Sequence, residues 1–184
     1  MQGSTGKRLV HYGSCDNCDM RQLRQMHFVK LKNQKNERLK MESRGLKNNN
    51  PLNIRRGEKW KGLRAQQQDP AFCQFEKMEY GWRAAFWLLT RTYYHKYRLY
   101  TIRSIVERWA PPNENNTEAY VSHISTLMKY AADVPLGIPG EHPERWMMLG
   151  AAMALHENGL HELDYMSMLQ GWGLCRRDAM NGGV

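Results

Sequence analysis

Beyond Met78, apolar side chains fall at helical spacing. Ala85, Leu88, Leu89 and Thr92 mark one face of a long helix expected over residues 78–97, with Phe86, Tyr93 and Tyr97 beside it. Thr101 suits the N-cap of a second helix over 102–110, where Ile102, Ile105, Val106 and Trp109 stand at i, i+3, i+4 and i+7. Pro111-Pro112 stops it, because proline lacks the amide hydrogen a helix interior needs. Asn116 or Thr117 caps a third helix striped by Tyr120, Ile124 and Leu127 or Met128. After a loop over 135–143, Pro143 fits a first helical turn, and Glu144 complements the positive end of the helix dipole. Trp146, Leu149, Met153 and His156 continue that helix, and Gly159 is placed to end it. A last helix is expected over 162–170, with a frayed tail at 181–184.

Residues 45–76 read differently. RGLKNNNPLNIRRGEKWKGL sets Gly, Asn and Pro at close spacing. Pro51 fixes its own φ and biases Asn50 toward an extended conformation. Asparagine amides bond readily to nearby backbone, so a compact loop stitched by its own hydrogen bonds is expected, with short extended pieces near 52–55 and 71–75. The fold class is therefore mainly α, with a loop-rich part ahead of the helices.

Charge changes the picture of the first forty residues. The chain has 184 residues and a net charge of +9. Residues 1–40 hold nine Lys/Arg and three acids, a net +6; residues 41–184 hold 18 and 15, a net +3. Of the 19 aromatic residues, only Tyr12 and Phe28 precede Met41. Segregating charge from core-forming rings describes a basic, disordered arm over 1–40 and a folded domain over 41–184. The arm offers a nucleic-acid partner through its phosphates, as the lesser possibility. His11, Cys15, Cys18 and His27 are ligands of acceptable type for zinc, but their spacing is not that of a common finger, so no metal is expected. Composition also permits an in-frame extension, with natural translation starting at Met41.

Other function classes drop out. The sequence has no GxGxxG, no GxxxxGK[ST] and no GxSxG, which removes the common phosphate-cradling loops and the nucleophile elbow. No cofactor is expected. No run of about 18 apolar residues exists to span a membrane. The polar start MQGSTGKRLVHYGSCDNC lacks the apolar region of a signal peptide.

Four segments carry a resemblance: RGLKNNNPLNIRR (44–56), FCQFEKMEYGWRAAFWLL (72–89), TIRSIVERWAPPNENNTEAYVSHI (101–124) and MLGAAMALHENG (148–159). In this order they resemble a phage structural-protein family of tailless internal-membrane phages and of prophages in gut bacteria. Leu52 departs from the pattern, since relatives usually carry Gly there; a Leu denies the positive φ that Gly allows, so a local difference in the loop is expected. The family is in turn similar to the lysozyme-like group that includes lytic transglycosylases. The resemblance implies a lysozyme-like α domain in a virion-associated protein that binds or cleaves peptidoglycan glycan strands, as a lytic transglycosylase or muramidase does. It places the protein in the virion, or in the host bacterial cytoplasm before assembly, with peptidoglycan and other virion proteins as partners. The alternative is a non-catalytic structural or assembly protein.

Glycan cleavage needs a carboxylic acid that protonates the leaving oxygen, and a transglycosylase needs only one. Glu42, in Met41-Glu42-Ser43 before the asparagine run, is the first candidate, because transglycosylases carry a catalytic Glu followed by Ser; otherwise it is an exposed acid beside Arg44. Glu79 and Glu157 are the runners-up. Glu79 stands where an acid simply stabilises a helix start. Glu157 stands near a helix end, within possible reach of the Asn-rich loop. Glu114 more simply orders a loop. Asn48, Asn49, Asn50 and Asn53 are candidates to bond sugar hydroxyls and N-acetyl groups, and Trp60 and Tyr80 to stack on sugar faces. Loop self-bonding for Asn50 and Asn53, and core packing for Trp82, Trp87, Trp109 and Trp146, are the plainer roles.

Overall fold

The computed structural model describes residues 43–112, 116–159 and 163–182. Glu42, Glu114, the four possible zinc ligands and the whole basic arm lie outside the described residues. Within them the architecture is six α-helices and one π-helical stretch, with only isolated antiparallel bridges, among them Arg55 with Phe72 and Leu63 with Phe75. These two bridges lie in the loop-rich part, at or beside the extended pieces expected there.

The helices are α1 (Arg44–Lys47), α2 (Met78–Trp87), α3 (Ile102–Trp109), α4 (Thr117–Met128), α5 (Pro143–Asn158) and α6 (Tyr165–Met180). Local chemistry sets most boundaries. Thr101 and Ser104 form a reciprocal capping box at α3. The Asn116 side chain accepts from the Ala119 amide at α4, and Gly159 ends α5 at φ 60°.

The core is built between α2 and its neighbours. Trp82 and Phe86 stack at 5.5 Å, and Trp172 of α6 meets Phe86 edge-on at 5.0 Å. Trp146, Leu149 and Met153 of α5 are fully buried against the same core, with Ile102, Ile105 and Val106 of α3. Each such side chain stabilises the fold by about 2–3 kcal/mol through the apolar area removed from water. Gly171 lets α6 approach α2 closely: a Cβ there would stand 2.3 Å from Cβ of Trp82. Gly81 does the same for α2 and the asparagine loop, where an added Cβ would fall 1.9 Å from the Asn49 carbonyl oxygen.

Two expectations need correction. The helix expected over 78–97 is α only to Trp87 and continues as a π-helix, Leu88–Lys96. Its i→i+5 pattern is a wider turn than apolar spacing at 3.6 describes. The last helix runs from Tyr165 to Met180, not over 162–170. Glycines at 171 and 173 disfavour a helix by about 1 kcal/mol each, and close packing on α2 outweighs that cost. Leu52 is fully buried. The positive φ values of this loop fall instead on Asn49 (51°) and Asn53 (49°), a residue type that tolerates them.

Candidate functional site

Three asparagines fold the loop back on itself. Asn50 is fully buried; its Nδ2 donates to the carbonyls of Ile54 and Cys73, both at 2.9 Å, and its Oδ1 accepts from the Ile54 amide. Asn48 donates to Asp69 Oδ2 at 2.7 Å and accepts from Gln74 Nε2 at 2.9 Å. Asn49 donates to the carbonyls of Phe75 and Glu76. Asp69 is the anchor on the other side. Both its oxygens take the Arg44 guanidinium, and Oδ1 also accepts the amides of Ala71 and Phe72. The Arg44 bond, the two amides and Asn48 hold this carboxyl well below the usual carboxylate range, against the opposing effect of desolvation. Asn48, Asn49 and Asn50 thus spend their amide donors on the loop itself.

Asn53 points elsewhere. Its Nδ2 donates to Glu157 Oε2 at 3.0 Å. Glu157 stands in the last turn of α5, half-buried. Its Oε1 accepts from Trp109 Nε1 at 3.1 Å and from Tyr120 Oη at 3.0 Å. One carboxyl group therefore ties the asparagine loop to the end of α3, to α4 and to α5. Next to it, Asn158 donates to the carbonyls of Pro51 and Ala154, both at 2.8 Å, and accepts from the Ser43 hydroxyl. Asn53 Oδ1 is buried with no hydrogen-bond partner among the described residues.

Aromatic and imidazole rings wall this acid. His156 stacks on Tyr120 at 3.7 Å, and its Nδ1 lies 2.8 Å from Nδ1 of His123. Burial, then the Glu157 carboxylate beside it, pushes the Tyr120 phenol far up, so Tyr120 remains a hydrogen-bond donor. Burial and then His123 push the His156 imidazole down. Among the described residues no three His, Cys, Asp or Glu side chains gather to hold a metal ion.

The remaining candidates lie apart from Glu157. Glu79, in the first turn of α2, is 3.8 Å from Lys77 Nζ, a partly exposed pair of small energetic weight. The half-buried Tyr80 ring packs over Gly62, where an added Cβ would strike it. Trp60 is buried and lines a cleft of about 410 Å³ with Trp87, Tyr93, Lys96, Tyr97 and Arg108. Tyr93 in turn meets Trp109 edge-on at 6.1 Å, so one indole separates that cleft from Glu157.

Reading the sequence singled out Glu157 and Asn53 but not Trp109, Tyr120, His156 or Asn158 as their companions. Trp109 and Tyr120 occupy core stripes, and a stripe does not disclose where a ring's polar tip points. The usable signal was their position: they stand on either side of the Pro111-Pro112 turn, and the polar run His156-Glu157-Asn158 ends a helix whose stripe is otherwise apolar.

No family model matches the sequence. Protein P5 of Pseudoalteromonas phage PM2 is 36% identical over 140 residues, covering 71% of this chain and 82% of that protein. An identity of this level over most of both chains establishes kinship, and the chain belongs to the family of that phage protein.

Proposed function

We propose that the protein is a virion-associated phage component whose helical domain engages peptidoglycan glycan strands, with Glu157 as the acid at the glycosidic bond. The observation that supports this reading is the meeting of one half-buried carboxyl group with the asparagine loop, Asn53 Nδ2 to Glu157 Oε2 at 3.0 Å. The aromatic cleft one indole away offers ring faces for sugars. In this reading one of the donors on Glu157 gives way to the glycosidic oxygen. Glu157 then hands that oxygen a proton as its bond to the anomeric carbon breaks, the sugar's own hydroxyl attacks that carbon to close the ring, and the hydroxyl's proton returns to Glu157. Asn53 orients the carboxyl group, while Asn48, Asn49 and Asn50 keep the loop in shape. Glu42 is the other acid for the role, since it directly precedes Ser43, whose hydroxyl bonds to Asn158. The test is incubation of the purified chain with cell-wall sacculi. Release of anhydro-muropeptides that is abolished in Glu157→Gln, with helical content unchanged, is the expected result. Loss in Glu42→Gln alone transfers the role to Glu42.

A second reading has its own observation. Both oxygens of Glu157 already accept from three donors, whereas a proton donor needs one oxygen free to carry hydrogen toward a leaving group. In that reading Glu157 is a clasp, and the domain is a non-catalytic virion structural or assembly component with other virion proteins as partners. It predicts no muropeptide release by the wild type, and a lower melting temperature for Glu157→Gln.

A further inference from the structure

Charge is divided unevenly within the folded domain itself. Residues 43–77 hold eight Lys/Arg and three acids, a net +5, whereas residues 78–184 hold ten and eleven, a net −1. Seven of those eight cations are exposed, Arg64 alone being half-buried. Arg44 and Arg55 both lie over the Phe72 ring, 4.5 and 5.7 Å from its centroid, and Arg56 donates to the Asp69 carbonyl at 3.3 Å. Two guanidinium groups therefore stand over one ring, with a third on the neighbouring Asp69 carbonyl. Asp69, the acid among them, is already filled by Arg44, Asn48 and two backbone amides. Lys47 is exposed three positions after Arg44 on α1, and so on the same side of that helix. Lys47, Arg55 and Arg56 make no ion pair among the described residues.

The chemistry of this face selects its partner. Planar guanidinium forks match phosphate oxygens two at a time, and a regular file of phosphates rewards several cations at once by releasing counterions. A lipid surface asks for apolar side chains beside the charge. Among the described residues the large exposed hydrophobic side chains all lie between Tyr97 and Met180, none of them in 43–77. Base reading in a groove uses a helix or paired strands, and this segment has only a four-residue helix and isolated bridges. We propose that the 43–77 face docks the phosphate backbone of nucleic acid without regard to sequence. This goes beyond the wall-directed reading and does not depend on it.

The test uses the full-length chain and a labelled duplex of about 20 base pairs of arbitrary sequence, with binding followed by anisotropy between about 50 and about 200 mM salt. Replacing the nine Lys/Arg of residues 1–40 by Gln leaves steeply salt-dependent binding in place. Adding Lys47→Glu and Arg55→Glu to that variant lowers affinity about tenfold or more and flattens the slope of log K against log salt by about two. Circular dichroism confirms that the variant keeps its helices. Loss of all binding on neutralising the arm overturns the proposal, as does binding unchanged by the two reversals. Equal or tighter binding to vesicles of anionic phospholipid, or to wall sacculi, also overturns it and assigns the face to that surface.

Discussion

The segment 43–77 turns polar side chains inward, whereas residues 78–182 bury rings and branched chains. Asn48, Asn50, Asp69 and Gln74 lie under the surface of the first, each bonded to backbone or to one another. The second packs Trp82, Phe86, Trp146, Leu149 and Ile105 with few polar atoms. A hydrophobic core loses stability in proportion to the volume removed. A buried polar network fails at the first donor or acceptor left alone. The two halves of one domain should therefore break in different ways.

The largest effect is expected in the helices. Trp146→Ala removes a fully buried indole and its bond to the Gly137 carbonyl, and costs about 4 kcal/mol in denaturant unfolding. Gly81→Ala attacks the seam between the halves by driving a methyl into the Asn49 carbonyl, and costs about 3 kcal/mol by the same measurement. Asn50→Ala leaves the Ile54 amide and the Cys73 carbonyl without partners, while the Ile54 carbonyl keeps the Cys73 amide, and costs about 2 kcal/mol. Asn50→Asp is no gentler, because an acceptor then faces both carbonyls. If Asn50→Ala proved harmless, the contrast between the halves would collapse.

Acid sharpens the comparison with the smallest change. The Asp69 carboxyl is depressed in the folded state, so its contribution is fully present above its ordinary value of 3.8 and is lost as pH falls toward the folded value. Hydrogen exchange below that pH should open 43–77 before the helices of 78–182. Asp69→Asn should flatten the pH dependence of stability in the same window. Loss of protection in both halves at the same pH would mean that the loop network and the core unfold as one unit.

These differences also govern what the amino-acid order discloses. Helices α3, α4 and α5 are legible because spacing and capping agree: Thr101, Asn116 and Gly159 stand where the stripes begin or end. The π-helical turn at Leu88 and the length of α6 are not, because both depend on what packs against them. The loop is legible in kind, since asparagines beside a proline demand local bonds, but not in its partners, since Asn48 reaches Asp69 across 21 positions. Of the site, Asn53 and Glu157 were visible as candidates. Their meeting across 104 positions, with the polar tips of Trp109 and Tyr120, belongs to tertiary structure alone.

Arg83 sits wholly inside the domain, its guanidinium lying 5.1 Å from the centre of the Trp87 ring. Its acidic partner is Asp178, in the final turn of α6, which also takes Lys61. Cutting the chain before Asp178 would delete that carboxylate and strand a cation in the protein's interior. The last turn of α6 is thus a condition for the middle of the molecule to be habitable, because without its carboxylate the interior would hold a cation it cannot neutralise.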